Sequence, residues 1–370
     1  MNRMTEAVDQ PDELPPEYDE KVEEYISSAK TKLFFILILI AVAAVLALYS
    51  MTVYGRGYSF TYVAEMFFGH LMGNTYVEYT EDWFADIQIW NSAVPRMIFT
   101  IVAGIGLAIA GASMQSCMNN PLADPYTVGV SAGACLGLAV AFIFGLSING
   151  GDVFGIMILA FLFALLPLTA IILLAPKTRS SPSTLILAGV ALSYLFNSVN
   201  TIILVSVDSE TLETIYKWQV GTLTQIHWEN IPFTLTVVAV GSIVIAFLSR
   251  QLNLLSLGDA SASSLGIDPD NLRIICLMAI AFIVGAVVGN AGIIGFVGLV
   301  APHIARILLG SDNRFVIPAS ALLSVILMLV SDTLCRVISV YDDVPVGAVL
   351  SLIGAPIFLY LILRRKSRVW

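Results

Sequence analysis

The chain has 370 residues, 58% hydrophobic and only 12% charged. Soluble domains carry about twice that share of charge, and the apolar residues fall in runs near the ~20 needed to cross a bilayer as helix. A large soluble helical protein is thereby excluded, and the net charge of −9 says little of partners, because nine acids and three bases crowd into residues 1–30.

That tail, residues 1–32, carries Pro11, Pro15 and Pro16 and few apolar residues, the composition of a disordered segment. It lacks the basic start of a signal peptide, and the apolar run from Leu33 is too long for one. Residues 33–370 read as an all-α, polytopic transmembrane helical bundle of ten spans. These are predicted at 33–54, 96–116, 127–147, 153–175, 184–205, 231–249, 272–290, 292–309, 315–337 and 346–363. The third and eighth are the least apolar, being rich in Gly and Ser, which suits close helix packing.

Lys and Arg set the sides. With the N-terminus inside, fourteen basic residues fall inside and four (Arg56, Arg96, Lys217, Arg336) outside. The basic end RRKSR must then also lie inside, which an even number of spans satisfies. The expectation is a multi-pass protein of the cytoplasmic membrane with both termini cytoplasmic. Residues 55–95 and 206–230 then lie outside, the latter with a short helix from Ser209, a turn at Gly221 and re-entry at Pro232.

Within the chain, "MNNPLADPYTVGVSAGA" (118–134) follows span two. Pro121 and Pro125 end that helix and the next starts near Tyr126, which taken alone reads as a tight turn. Span five carries Ser193, Asn197 and Thr201 four residues apart, with Asn200 beside them. That spacing puts the three on one helix face, which either lines a watery path or bonds another helix. Glycines punctuate 103–115 and 289–302 and let helix backbones approach.

Between spans six and seven stands "LSLGDASASSLGID" (255–268), small and polar amid apolar runs. Gly258 is expected to close one short turn, Asp259 to cap a second and Gly266 to close that one, making a rigid knob of two small helices. Asp268-Pro269 is an N-cap with Pro at the first helical position, so span seven starts there.

Ionisable groups are sparse at mid-membrane. Asp332 and Arg336 lie near the outer end of span nine, His303 and Arg306 near the inner end of span eight. An ion-coupled carrier usually needs such groups near the midplane, so a secondary transporter is the weaker alternative. Cys117, Cys135, Cys276 and Cys335 form no CxxC and read as packing residues. Three histidines are too few and scattered for a metal centre. No Walker A loop occurs and no nucleophile–base set stands out. No catalytic residue, metal, cofactor or nucleic acid is expected.

Taken together, "MNNPLADPYTVGVSAGA", "LGDASASSLGID", "GIIGFVGLVAPHIARILLGSDNRFVIPASAL" and "DDVPVGAVLSLIGAPIFLYLILRR" resemble the FecCD-type permeases, the membrane subunits of ABC importers for iron–siderophore complexes, haem and cobalamin. The resemblance runs from about residue 33 to the C-terminus and implies a type II ABC importer permease fold with ten spans. It implies two permease subunits around a central pathway, here a homodimer, with two ABC ATPase subunits docked inside and a substrate-binding protein outside. ATP hydrolysis would then belong to another chain.

By the same resemblance, the segment at about 252–268 couples to the ATPase through Leu257, Gly258, Asp259, Ala260, Ser261, Ala262, Ser263, Ser264, Leu265 and Gly266, its small residues permitting close docking. Arg96, in "AVPR", and Arg336 match outer-rim arginines that meet carboxylates of the binding protein; Ala93 stands where a further arginine is common. Ser193, Asn197, Asn200 and Thr201 match a pathway-lining helix. The implied activity is import of a metal chelate, first an iron(III)–siderophore complex, with haem or cobalamin as alternatives.

Overall fold

The computed structural model describes residues 16–53, 57–146, 153–178, 182–338 and 344–363. The start of the acidic tail, Arg56 and the basic end RRKSR lie outside the described residues. Among the described residues the regular structure is helix alone.

Helix α1 (Pro16–Thr52) begins well before the first apolar run. Residues 16–32, expected to be disordered, are therefore helical: a turn nucleated on the long apolar span propagates at little cost into its flank. Helices α2 (Phe60–Leu71) and α3 (Glu81–Gln88) are capped by Ser59 and Thr80, whose hydroxyls accept the amides of Tyr62 and Trp83. Helix α3 passes through a π turn (Ile89–Ala93) straight into α4 (Val94–Cys117). The wider turn lies just before Pro95, whose ring cannot donate to the ladder.

A 3-10 turn (Pro125–Val128) leads to α5 (Val130–Ile143), followed by α6 (Val153–Thr178) and α7 (Pro182–Leu204). Helix α8 (Ser209–Gln219) is capped by Asp208, and the chain then turns at Gly221, whose φ is +78°. A second 3-10 turn (Trp228–Asn230) opens α9 (Ile231–Leu255). A short α10 (Asp259–Ser264) precedes α11 (Pro269–Ala291), whose cap Asp268 accepts the amides of Asp270 and Asn271. The chain ends in α12 (Val297–Leu309), α13 (Asn313–Ile338) and α14 (Val346–Leu363).

Side-chain bonds sort the helix ends into two faces. On the basal face, Arg273 at the start of α11 meets Cys117 at the end of α4. There too Asn253 of α9 meets Asp312 and Asn313 at the α12–α13 turn. On the distal face, Arg96 of α4, Asp332 and Arg336 of α13 and Ser50 of α1 are joined, as are Asn230 and Asn290 of α9 and α11. Among the described residues, ten apolar helices alternate between these faces, seven of them long enough to cross a membrane and three shorter (α5, α12, α14). Five precede α8 and five follow, so the two halves run in opposite senses.

The third span of each half departs from expectation. Helices α5 and α12 have 14 and 13 residues, or about 20 Å at 1.5 Å per residue, too short for about 30 Å of hydrocarbon. Each is preceded by irregular chain, 118–129 and 292–296. The first of these is no surface turn. Gly189 packs on Thr127 and Val128, and Gly129 lies by the Ser193 hydroxyl. Those α7 positions stand 7 and 11 residues from its basal end, about 10 and 16 Å into the bundle. Segment 118–129 therefore re-enters the bundle from the basal face.

Helix α4 is the centre, packed on α9, α11, α12 and α13. Its glycines make this possible: a Cβ on Gly111 would fall 1.9 Å from the Gly298 carbonyl oxygen of α12. Helix α13 is drawn in similarly, with the Ser324 hydroxyl donating to the Gly104 carbonyl at 2.7 Å.

Candidate functional site

The polar segment between α9 and α11 folds on the basal face as one short helix, not two. Helix α9 continues to Leu255, and Gly258 turns the chain with φ +97°. The far end of α10 is a Schellman motif: Gly266 donates to the Ser263 carbonyl and Ile267 to the Ala262 carbonyl. Gly258 occupies the cap position, so Asp259 is the first helical residue and not the N-cap. Its carboxylate turns instead to the Arg273 guanidinium.

Leu257, Ala260, Ser261, Ser263, Ser264, Leu265 and Gly266 are exposed, whereas Ala262 is fully buried. The small residues thus divide between an outward face and one inward anchor. The outward face is framed by two leucines, Leu257 at 64% and Leu265 at 58% exposure. Exposed leucines on a rigid projection of a water-facing surface suit a protein partner.

Arg273 escaped the sequence reading. It is 1% exposed. Its Nε–H donates to the Cys117 carbonyl at 3.1 Å and its two Nη groups hold both Asp259 oxygens. Asp259 and Arg273 are 14 positions apart, a spacing with no helical periodicity to announce it.

On the distal face Arg96 and Arg336, the two arginines matched to the outer rim, are both engaged within the chain. Arg96 is 7% exposed and directs Nε and Nη2 to Asp332 Oδ1 at 2.9 and 2.7 Å. Arg336 donates to Asp332 Oδ2 at 2.8 Å and to the Ser50 carbonyl at 2.6 Å. One buried carboxylate is shared by two arginines, and the cluster ties α1, α4 and α13 together.

The stripe on α7 is split. Asn197 and Thr201 are exposed and Ser193 half-buried, while Asn200 is buried on another side of the helix. The Ser193 and Thr201 hydroxyls donate one turn back, to the Gly189 and Asn197 carbonyls. Helix α7 is the least buried of the long spans.

Where the two half-helices begin, a cavity of about 550 Å³ opens among Asp124, Tyr126, Gln219, Phe296, Gly347 and Ser351. Asp124 caps its own turn by accepting the Tyr126 amide at 2.8 Å. The Tyr126 hydroxyl donates to the Ile294 carbonyl and accepts the Ile294 amide, so segments 118–129 and 292–296 hold each other. Phe296 takes φ +67°, a left-handed conformation unusual for a bulky residue, as the chain turns into α12.

A bundle of oppositely running halves, each with a short third helix that begins beside a shared cavity, and with a knob on one face, defines an integral membrane transport component. The chain belongs to the FecCD transport family, whose model matches residues 31–364, and is the permease of a metal-chelate type ABC importer. The Halobacterium salinarum cobalamin import system permease BtuC is 36% identical, over 77% of this chain and 75% of that one. The Yersinia pestis hemin transport system permease HmuU is 35% identical, over 76% and 85%. The Bacillus subtilis iron(3+)-hydroxamate import system permease FhuB is 34% identical, over 75% and 72%. A solved inward-facing structure of a metal-chelate type ABC transporter superposes with a TM-score of 0.78 at 28% identity, covering 90% of this chain and 99% of that one.

Proposed function

We propose that this permease carries an iron(III)–siderophore complex across the cytoplasmic membrane as one half of a homodimer. Two ABC ATPase subunits dock on the basal face, which is cytoplasmic, and a substrate-binding protein docks on the distal face, which is external. The observation that carries the reading is the pairing of two surfaces on one chain. The α10 knob offers a small, leucine-framed docking face to the ATPase. The exposed Asn197 side chain of α7, beside Thr201, offers an amide that lipid cannot satisfy and that a pathway between two subunits can.

The iron–hydroxamate relative supports the siderophore as cargo. The haem and cobalamin relatives keep those ligands as alternatives, since their identities to this chain are alike. Coupling residues are Leu257 to Gly266, with Leu257, Ala260, Ser261, Ser263, Ser264, Leu265 and Gly266 outward and Ala262 as anchor.

The experiment is uptake by proteoliposomes holding the permease, its ATPase and the binding protein, with a ferric hydroxamate, hemin and cobalamin offered in turn. ATP-driven uptake of the ferric hydroxamate that survives collapse of the ion gradients is expected. Uptake of hemin or cobalamin alone would overturn the cargo. Uptake that follows the gradient without ATP would overturn the coupling.

A further inference from the structure

Helix α10 is joined to the chain through a glycine at each end. Gly258 and Gly266 flank it with φ of +97° and +84°, and a Cβ at either would meet nothing within 4 Å. Two open glycine hinges would let the knob tilt without moving its neighbours. Two side chains oppose that freedom: Ala262, buried against the bundle, and Asp259, held by Arg273.

Arg273 is a buried cation whose three nitrogens are all engaged, in two directions. Two face Asp259 on α10. The third faces the carbonyl of Cys117, the last residue of α4, one of the terminal carbonyls that a helix leaves without an internal partner. A planar guanidinium holds such a geometry as a fixed fork. Asp270, at 3.9 Å, adds a second carboxylate on the same side as Asp259.

Cys117 is also where segment 118–129 begins. That segment carries Asp124 and Tyr126 to the cavity and, through the Tyr126 hydroxyl, grips Ile294 ahead of α12. A bonded route therefore runs from the knob to both half-helix starts, and its one charged link is Arg273. We propose that Arg273 is the positioning residue that transmits displacement of α10 to the end of α4 and to segment 118–129, and so opens or closes the cavity. The proposal rests on the reading of α10 as the ATPase-coupling element.

The test uses the whole permease–ATPase complex in proteoliposomes, on a cysteine-free background with a reporter cysteine at the cavity residue Ser351. Maleimide labelling of the reporter is timed with and without ATP, beside ATP hydrolysis and retention of the ATPase. Arg273→Gln, outside the ATPase-facing segment, is expected to keep the ATPase and its hydrolysis; the response of Asp259→Asn, at a half-exposed side chain, is read per ATP hydrolysed by the ATPase it retains. The ATP-dependent change in labelling per ATP hydrolysed should fall about tenfold, within the range of ordinary coupling. Arg273→Lys keeps the charge but loses the fork and should fall between. A bracing role alone would lower thermal stability and leave that ratio unchanged. A wild-type response in folded Asp259→Asn therefore overturns the proposal even if Arg273→Gln fails to fold. If the unaltered permease neither retains the ATPase nor shows an ATP-dependent response, the coupling reading fails instead and takes the proposal with it.

Discussion

Arg96 and Asp332 lie 236 positions apart and meet through two hydrogen bonds to a single carboxylate oxygen. The other oxygen serves Arg336. Asp332→Asn would remove the carboxylate that both arginines share, where solvent is nearly absent. Removing one partner of a buried pair costs about 3–5 kcal/mol, and the thermal melting point of the purified chain should fall accordingly. Arg336→Gln should cost much less, because Asp332 keeps Arg96. Equal losses from the two variants would contradict a shared-carboxylate clamp.

The α4–α12 crossing depends on absent side chains. Gly111→Ala places a methyl carbon 1.9 Å from a backbone oxygen, which no rotamer change relieves. The expected outcome is failure to accumulate a folded chain. Gly155→Ala, whose nearest neighbour would be the tip of Leu146 at 3.5 Å, should be neutral, or stabilising by the roughly 0.5–1 kcal/mol that separates Ala from Gly in a helix. Fluorescence-detected gel filtration of both variants gives the comparison directly.

On α7, Asn197→Leu and Thr201→Val alter exposed positions and should leave melting unchanged. If this face lines the pathway, uptake should fall severalfold while ATP hydrolysis persists. Unchanged uptake by the double variant would remove these residues from the pathway.

Asp312 sits in the turn between α12 and α13. Burial pushes its carboxyl up, but hydrogen bonds from Arg314 and Asn253 outweigh that and hold it below its usual value. A depressed carboxylate stabilises the fold above the unfolded value near pH 4 and loses that contribution as pH falls through the folded value. The melting difference between the unaltered chain and Asp312→Asn should be constant from neutral pH to about pH 5 and shrink below about pH 4. A difference that grows on acidification would contradict the sign.

How far these features were legible in the sequence follows from the range of the forces involved. Span order rests on local hydropathy; the cap at Asp268, the helix from Ser209 and the turn at Gly221 rest on local chemistry, and those three were read correctly. Helix α12 was drawn five residues too early, because the chain ahead of it is apolar enough to pass for a span; the span drawn at 127–147 overruns α5 at both ends, into the turn before Val130 and past Ile143. Asp259 had the residue type of an N-cap, but a buried guanidinium 14 residues on competes for a carboxylate more strongly than a helix amide does. Arg96 and Arg336 were matched to outer-rim arginines by resemblance, which says nothing of the partners they hold within the chain. Asp332 stands four residues before Arg336, a spacing that does point to their pair, but its bond to Arg96 joins α13 to α4 over 236 positions, where no sequence pattern points. The inward turn of Ala262 was likewise hidden, since a small residue fits either face of a short helix.

The central claim is that the exposed face of α10 meets the ATPase. On a cysteine-free background, single cysteines replacing Leu257, Ser261, Leu265 and, as the buried control, Ala262 are crosslinked in membranes holding the complete transporter. Leu257→Cys, Ser261→Cys and Leu265→Cys should crosslink to the ATPase and not to the binding protein, with Ala262→Cys inert. Absence of any ATPase crosslink from the three exposed positions in a complex that still transports would contradict the account.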